Sequence, residues 1–106
     1  MVRAAVDLEH LRRYTDGDRE LERALVEAFG ESCAQYLPGL DPMAPAAQWK
    51  GAAHGLKGAA RGIGAFNLGD LAEAAESLSA TEERRSLLAR LLAEVEQVRR
   101  QLDALQ

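Results

Sequence analysis

An all-α fold, an antiparallel up-and-down four-helix bundle with an additional short N-terminal helix, is what this sequence predicts, and three observations carry the expectation. Strand signals are nearly absent, while apolar residues recur at steps of three and four along the whole chain of 106 residues, the period of helices with one buried face. Glycine and proline gather at a few points, LPGLDPMAP above all, and so punctuate the periodic stretches. Aromatic residues make up only 5% against 47% hydrophobic overall, so the core must be built from Ala, Leu and Val, which suits closely packed helices. The length fits a single domain over residues 1–106, enough for one core and not several.

In chain order, the first segment is a short helix near Asp7 to Tyr14, with Asp7 as N-cap and TDGD as the break that follows. A second helix is expected from about Asp18 to Tyr36, with Leu21, Leu25, Ala28, Phe29, Cys33 and Tyr36 on one stripe. The prolines and glycine from Leu37 to Pro45 read as a loop. A third helix starts near Ala46 and ends near Ile63, where Gly64 is a natural stop. The fourth starts at Phe66 or Asn67, includes Leu68, Leu71, Ala75 and Leu78, and ends before Thr81. The fifth, from about Glu82 to Leu105, is the most regular: Leu88, Leu91, Val95, Val98, Leu102 and Leu105 alternate steps of three and four. That pattern serves a bundle seam, or equally a pairing with a second copy of the chain.

Several function classes drop out on composition. Cys33 is the only cysteine, which excludes an intrachain disulfide or a thiolate metal cluster and leaves it a small packing residue. A formal net charge of -4 argues against nucleic acid as a partner, since that needs a basic footprint. No run approaches the roughly 20 apolar residues of a membrane span, and the start MVRAAVDLEHLRR has no secretion signal, so no membrane and a cytoplasmic location are expected. Metal or haem ligation is disfavoured because His10 and His54 are the only histidines, and the expected metal set is none. His10 reads as an ordinary surface residue.

The third helix carries what remains. With residues about 100° apart around its axis, Trp49, Ala53, Leu56, Ala60 and Ile63 form the core stripe, and His54 lies roughly opposite, facing water. From Pro42 to Gly69 the only charged residues are Lys50, Lys57 and Arg61, at minus four, plus three and plus seven from His54 and on its outward face. Three cations around one imidazole, with no acid in that helix, suit a doubly charged anion. His54 is the only nucleophile there. Gly51, Gly55, Gly58 and Gly62 fall on a stripe along one flank of His54, although each interior glycine costs a helix roughly 0.5–1 kcal/mol relative to alanine. One reading makes Gly51, Gly55 and Gly58 a bare strip over which a partner reaches the ring. A second makes the same stripe a close helix crossing, and the two combine if Gly51 and Gly62 serve packing while Gly55 and Gly58 keep His54 accessible.

AHGLKG, followed by Gly64 and Leu68, resembles the signature of histidine phosphotransfer (HPt) domains of multistep two-component phosphorelays. That pattern has lysine at plus three from the histidine, glycine at plus four, a second glycine at plus ten and an apolar residue at plus fourteen; His54, Lys57, Gly58, Gly64 and Leu68 occupy those places. LERALVEAF and LAEAAE are similar to the family's flanking helices. The resemblance implies that His54 accepts a phosphoryl group from an aspartyl phosphate on a receiver domain of a hybrid histidine kinase and relays it to that of a response regulator. It implies that Lys57 helps hold the phosphoryl group and that Gly58 leaves room for the receiver. Lys50 and Arg61 stand outside the motif, and their place near the phosphate rests on helical geometry alone. No cofactor is expected in this chain, the Mg2+ coming with the receiver, and a monomer is expected. The chain has no glycine-rich nucleotide loop beside acidic residues, so ATP-dependent kinase activity is not expected. The alternatives are the dimeric phosphotransfer helix bundle of a sensor-kinase-like protein and a non-catalytic interaction bundle.

Overall fold

The computed structural model describes residues 3–105, and among them are five α-helices, one 3₁₀ turn and no strand. Helix α1 (Leu8–Thr15) is capped by Asp7, whose carboxylate accepts from the His10 amide at 3.0 Å. Asp16 and Gly17, both at positive φ, turn the chain. Helix α2 (Arg19–Tyr36) is capped by Asp18, which accepts from the Glu20 and Leu21 amides at 2.9 and 3.1 Å. Both aspartates satisfy amides that have no partner within their helix. Helix α3 spans Ala46–Gly62, α4 Phe66–Glu76 and α5 Thr81–Asp103. None of these helices is long and apolar enough to cross a membrane.

Three boundaries differ from the sequence expectation. The loop after α2 contains a 3₁₀ turn, Leu37–Gly39, because Pro38 lacks the amide needed to extend an α-helix but tolerates a tight turn. Helix α4 stops at Glu76 rather than continuing through Leu78: the Ser77 hydroxyl donates to the Ala74 carbonyl at 3.3 Å, a local bond that competes with helix continuation. Helix α5 ends at Asp103, with Leu105 outside it and half-buried.

Helix α3 occupies the middle of the bundle, packed against α2 on one side and α4 on the other; α4 in turn packs on α5, and α1 on α2. Trp49, Ala53, Leu56, Ala60 and Ile63 are all buried, as their spacing predicts, together with Leu68, Leu91, Val98 and Leu102 from the neighbouring helices. Short connections hold consecutive helices antiparallel. The turn at Gly64 (φ 85°) lies so close to the N-terminal segment that a Cβ there would fall 3.1 Å from the Asp7 carbonyl oxygen, and the Asp7 amide donates to the Gly64 carbonyl at 2.9 Å. Glycine is required there twice over, for the backbone angle and for the contact. His10, expected to be an ordinary surface residue, is half-buried, its ring edge-on to Phe66 at 5.2 Å between centroids.

The expected stripe of α2 is buried only in part. Phe29 and Cys33 are enclosed, whereas Leu21 and Ala28 are exposed, because α1 is too short to cover the first turns of α2. An apolar groove of about 260 Å³ lies between the middle of α2 and the end of α3, lined by Tyr14, Leu25, Ala28, Ala59 and Gly62 among others.

Arg84 is a buried charge the periodicity did not foretell. Its guanidinium donates to the carbonyls of Leu78, Pro42 and Ala44 at 3.1, 3.3 and 3.0 Å and sits 4.9 Å from the Trp49 ring centroid, so hydrogen bonds and a cation–π contact offset its desolvation. The Trp49 indole donates to the Ala75 carbonyl at 2.7 Å. These contacts lock the two loops at one end of the bundle around α3.

Candidate functional site

His54 lies on the one strip of α3 that neither α2 nor α4 covers, and its side chain is 71% exposed. Its Nδ1 is 3.3 Å from Oε1 of Glu76, the last residue of α4. The same oxygen accepts from Lys57 Nζ at 2.7 Å. Lys57 and Glu76 are largely shielded, at 17% and 18% side-chain exposure, so the pair forms a platform beside the solvent-facing ring. A carboxylate at Nδ1 holds the tautomer with the proton on Nδ1 and the lone pair on Nε2. Nε2 in that tautomer carries a free lone pair and makes no hydrogen bond to protein among the described residues.

The hydrogen bond from Lys57 holds the Glu76 carboxyl below its ordinary value of 4.5, against a smaller opposing push from burial, with His54 contributing less. Glu76 thus stays ionised through the neutral range. The stabilisation from this pair is full above the ordinary carboxylate value and is lost as pH falls through the depressed one.

The basic face expected from α3 alone is largely compensated from α4. Arg61 does not lean toward His54: its stem crosses Gly69, where a Cβ would fall 2.9 Å from Arg61 Cγ. Its guanidinium meets Glu73 at 3.1 Å and Asp70 at 3.6 Å. Asp70 also takes Arg3 at 2.6 Å, the contact that most depresses its carboxyl. Lys50 is exposed and makes no ion pair among the described residues. Of the three cations placed around the imidazole, Lys57 is beside it but shared with Glu76, Arg61 is tied to α4, and Lys50 alone is uncompensated. The sequence did hold a signal for this. Asp70, Glu73 and Glu76 recur at steps of three on α4 while Lys57 and Arg61 stand four apart on α3, so in antiparallel register the acids descend past the cations.

The glycine stripe also divides differently from either reading. A Cβ at Gly51, Gly58 or Gly62 would meet no atom within 4 Å, whereas one at Gly55 would overlap the Cδ1, Cε1 and Cζ atoms of the Tyr36 ring. Gly55 is therefore filled by Tyr36 rather than bare, and Gly51 and Gly62, assigned to helix packing, are open. Gly58 is open and exposed, one turn from His54. A stability measurement separates these roles: Gly51→Ala should raise stability by about 0.5–1 kcal/mol through helix propensity. Gly55→Ala should bring no such gain unless Tyr36 is also reduced to Ala, because only then is the methyl accommodated. Thermal unfolding of the three variants checks this, and a full gain from Gly55→Ala alone would overturn the assignment.

A model of the Hpt domain family matches residues 19–106. Among solved structures, the crystal structure of the histidine phosphotransferase ShpA from Caulobacter crescentus is similar at 39% sequence identity with a TM-score of 0.67, the alignment covering 96% of this chain and 99% of that one. No curated protein matches the chain. The two matches support a phosphotransfer role for a helical bundle of this kind.

Proposed function

Since the chain belongs to the Hpt domain family, we propose that His54 is its phosphoryl acceptor, taking the group from the aspartyl phosphate of one receiver domain and passing it to the aspartate of another. The observation that carries this reading is the exposed ring whose Nδ1 meets Glu76, leaving Nε2 without a protein partner among the described residues. In the forward step the Nε2 lone pair attacks phosphorus, the N–P bond forms, and the P–O bond to the aspartate breaks with its electron pair returning to that carboxylate. The ring gains positive charge as the bond forms. Ionised Glu76 at Nδ1 favours that charge and keeps the ring oriented, much as a carboxylate does for a catalytic imidazole. Onward transfer reverses these movements at the second receiver.

Phosphoryl transfer of this kind passes through a loose transition state with charge on the equatorial oxygens, so positioning and cations supply most of the acceleration. Lys57 has three ammonium protons and can keep Glu76 while donating another to a phosphoryl oxygen. Lys50, uncompensated one turn before His54, adds long-range attraction. Mg2+ belongs to the receiver in this reading, and this chain acts as a monomeric cytoplasmic carrier without ATP-dependent kinase activity. The upstream receiver is that of a hybrid kinase and the downstream one that of a response regulator.

The test is incubation with receiver domains charged by acetyl phosphate, followed by intact mass and acid lability. Gain of one acid-labile phosphoryl group supports the reading, and no gain from any receiver of the source organism refutes it. A solution mass of two chains would favour the sensor-kinase-like bundle. Lys57→Ala should slow transfer or shorten the phosphohistidine lifetime, and Glu76→Ala should slow transfer roughly 10-fold or more, since a carboxylate that orients a working imidazole and stabilises its cation is lost. Unchanged kinetics in both variants would remove the platform from the mechanism.

A further inference from the structure

Tyr36 ends α2, and its ring lies over Gly55, the residue directly after His54. The α2 stripe predicts it as core, yet it is only half-buried, and its hydroxyl makes no hydrogen bond among the described residues. The site around His54 therefore has two unlike walls: the Lys57–Glu76 ion pair toward α4, and a neutral phenol toward α2. Gly51 and Gly58, open on the turns before and after Gly55, leave the ring standing as a ridge across an otherwise bare strip.

We propose that Tyr36 is a specificity-determining residue for the receiver domain, its hydroxyl pairing with a backbone group of the loop that the receiver lays over the strip beside His54. The inference rests on the phosphotransfer reading above. A partner that brings a phosphoaspartate to Nε2 across Gly58 must set its own backbone against whatever rises from the neighbouring turn, and what rises there is the Tyr36 ring. Gly55 lets the edge of that ring from Cδ1 to Cζ seat against the helix, so the position of the hydroxyl is fixed beside His54 while its hydrogen-bonding capacity is unused among the described residues. A hydroxyl held in this way forms an intermolecular hydrogen bond at little conformational cost, the property that enriches tyrosine in recognition surfaces. Being neutral, it can accept from an amide or donate to a carbonyl, and leaves the charge balance around the phosphoryl group unaltered.

Tyr36→Phe keeps the ring over Gly55 and deletes only the hydroxyl, which makes it a clean test. With receiver domains charged by acetyl phosphate as donors, the variant should unfold at the wild-type midpoint and show KM for the receiver raised about 5- to 15-fold, the effect of one lost interface hydrogen bond. Its maximal transfer rate and phosphohistidine half-life should match the wild type. A wild-type KM overturns the proposal; so does a slower maximal rate or altered half-life at unchanged KM, which would put the hydroxyl on the phosphoryl group instead. If wild-type protein accepts nothing from any receiver, the phosphotransfer reading falls and this one with it. If wild type is phosphorylated and Tyr36→Phe behaves identically, this proposal alone falls.

Discussion

His54→Gln protein should take up no phosphoryl group from any charged receiver, and should unfold at the same temperature as the wild type. The two halves of this result have separate causes. No other nucleophile shares the exposed strip of α3, so removing the ring nitrogen leaves nothing to form the N–P bond, and the loss is complete rather than partial. Stability should move by no more than about 0.5 kcal/mol, as for surface substitutions that leave no buried group unpaired, because the side chain is 71% exposed and Lys57 continues to partner Glu76. His10→Gln is the control: with its ring on Phe66 and against Gly64, it should keep phosphoryl uptake and lose some stability. Intact-mass labelling and thermal melts of both variants check this. Residual labelling of the His54 variant would mean that another residue carries the group.

What could be read in the sequence, and what could not, divides along a physical line. The buried stripe from Trp49 to Ile63 and the outward His54 follow from the helical repeat of one segment, and both stand as expected. The cap at Asp7 and the stop at Gly64 are equally local, fixed by a side chain or a φ angle within a few residues. Apart from the helix boundaries at Leu37–Gly39, Glu76 and Asp103, what was missed lies between helices. Glu76 reaches His54 across 22 residues of chain, Tyr36 covers Gly55 from another helix, and Arg84 is buried only because carbonyls from two loops converge on it. A helical repeat fixes which face a residue occupies but not its height against a neighbouring helix. Thus α3 read alone looked basic and bare, whereas α3 beside α4 and α2 is charge-compensated on one flank and capped by a phenol on the other.

Gly58→Leu is expected to separate docking from chemistry. The position lies inside α3 with nothing within 4 Å of where a Cβ would point, so the variant should fold and gain about 0.5–1 kcal/mol in helix propensity. That openness also removes close helix packing as the reason for glycine at this position. On the proposed phosphotransfer reading the glycine gives access: residue 58 is one turn from His54 on nearly the same face, and a leucine there would stand in the path by which a receiver is proposed to bring its phosphoaspartate to Nε2. Transfer from charged receivers should fall at least about 100-fold, the consequence of a clash worth about 2.7 kcal/mol or more in the docked complex. Labelling of His54 by phosphoramidate, which needs no docked protein, should stay within a few-fold of wild type. Gly58→Ala should fall between the two, its single methyl intruding less. Normal receiver transfer by Gly58→Leu would mean that the partner approaches from the Lys50 side, and would move the docking face away from the glycine strip. Equal loss with receiver and phosphoramidate would instead place the damage in His54 itself, through a shifted ring or a broken contact with Glu76.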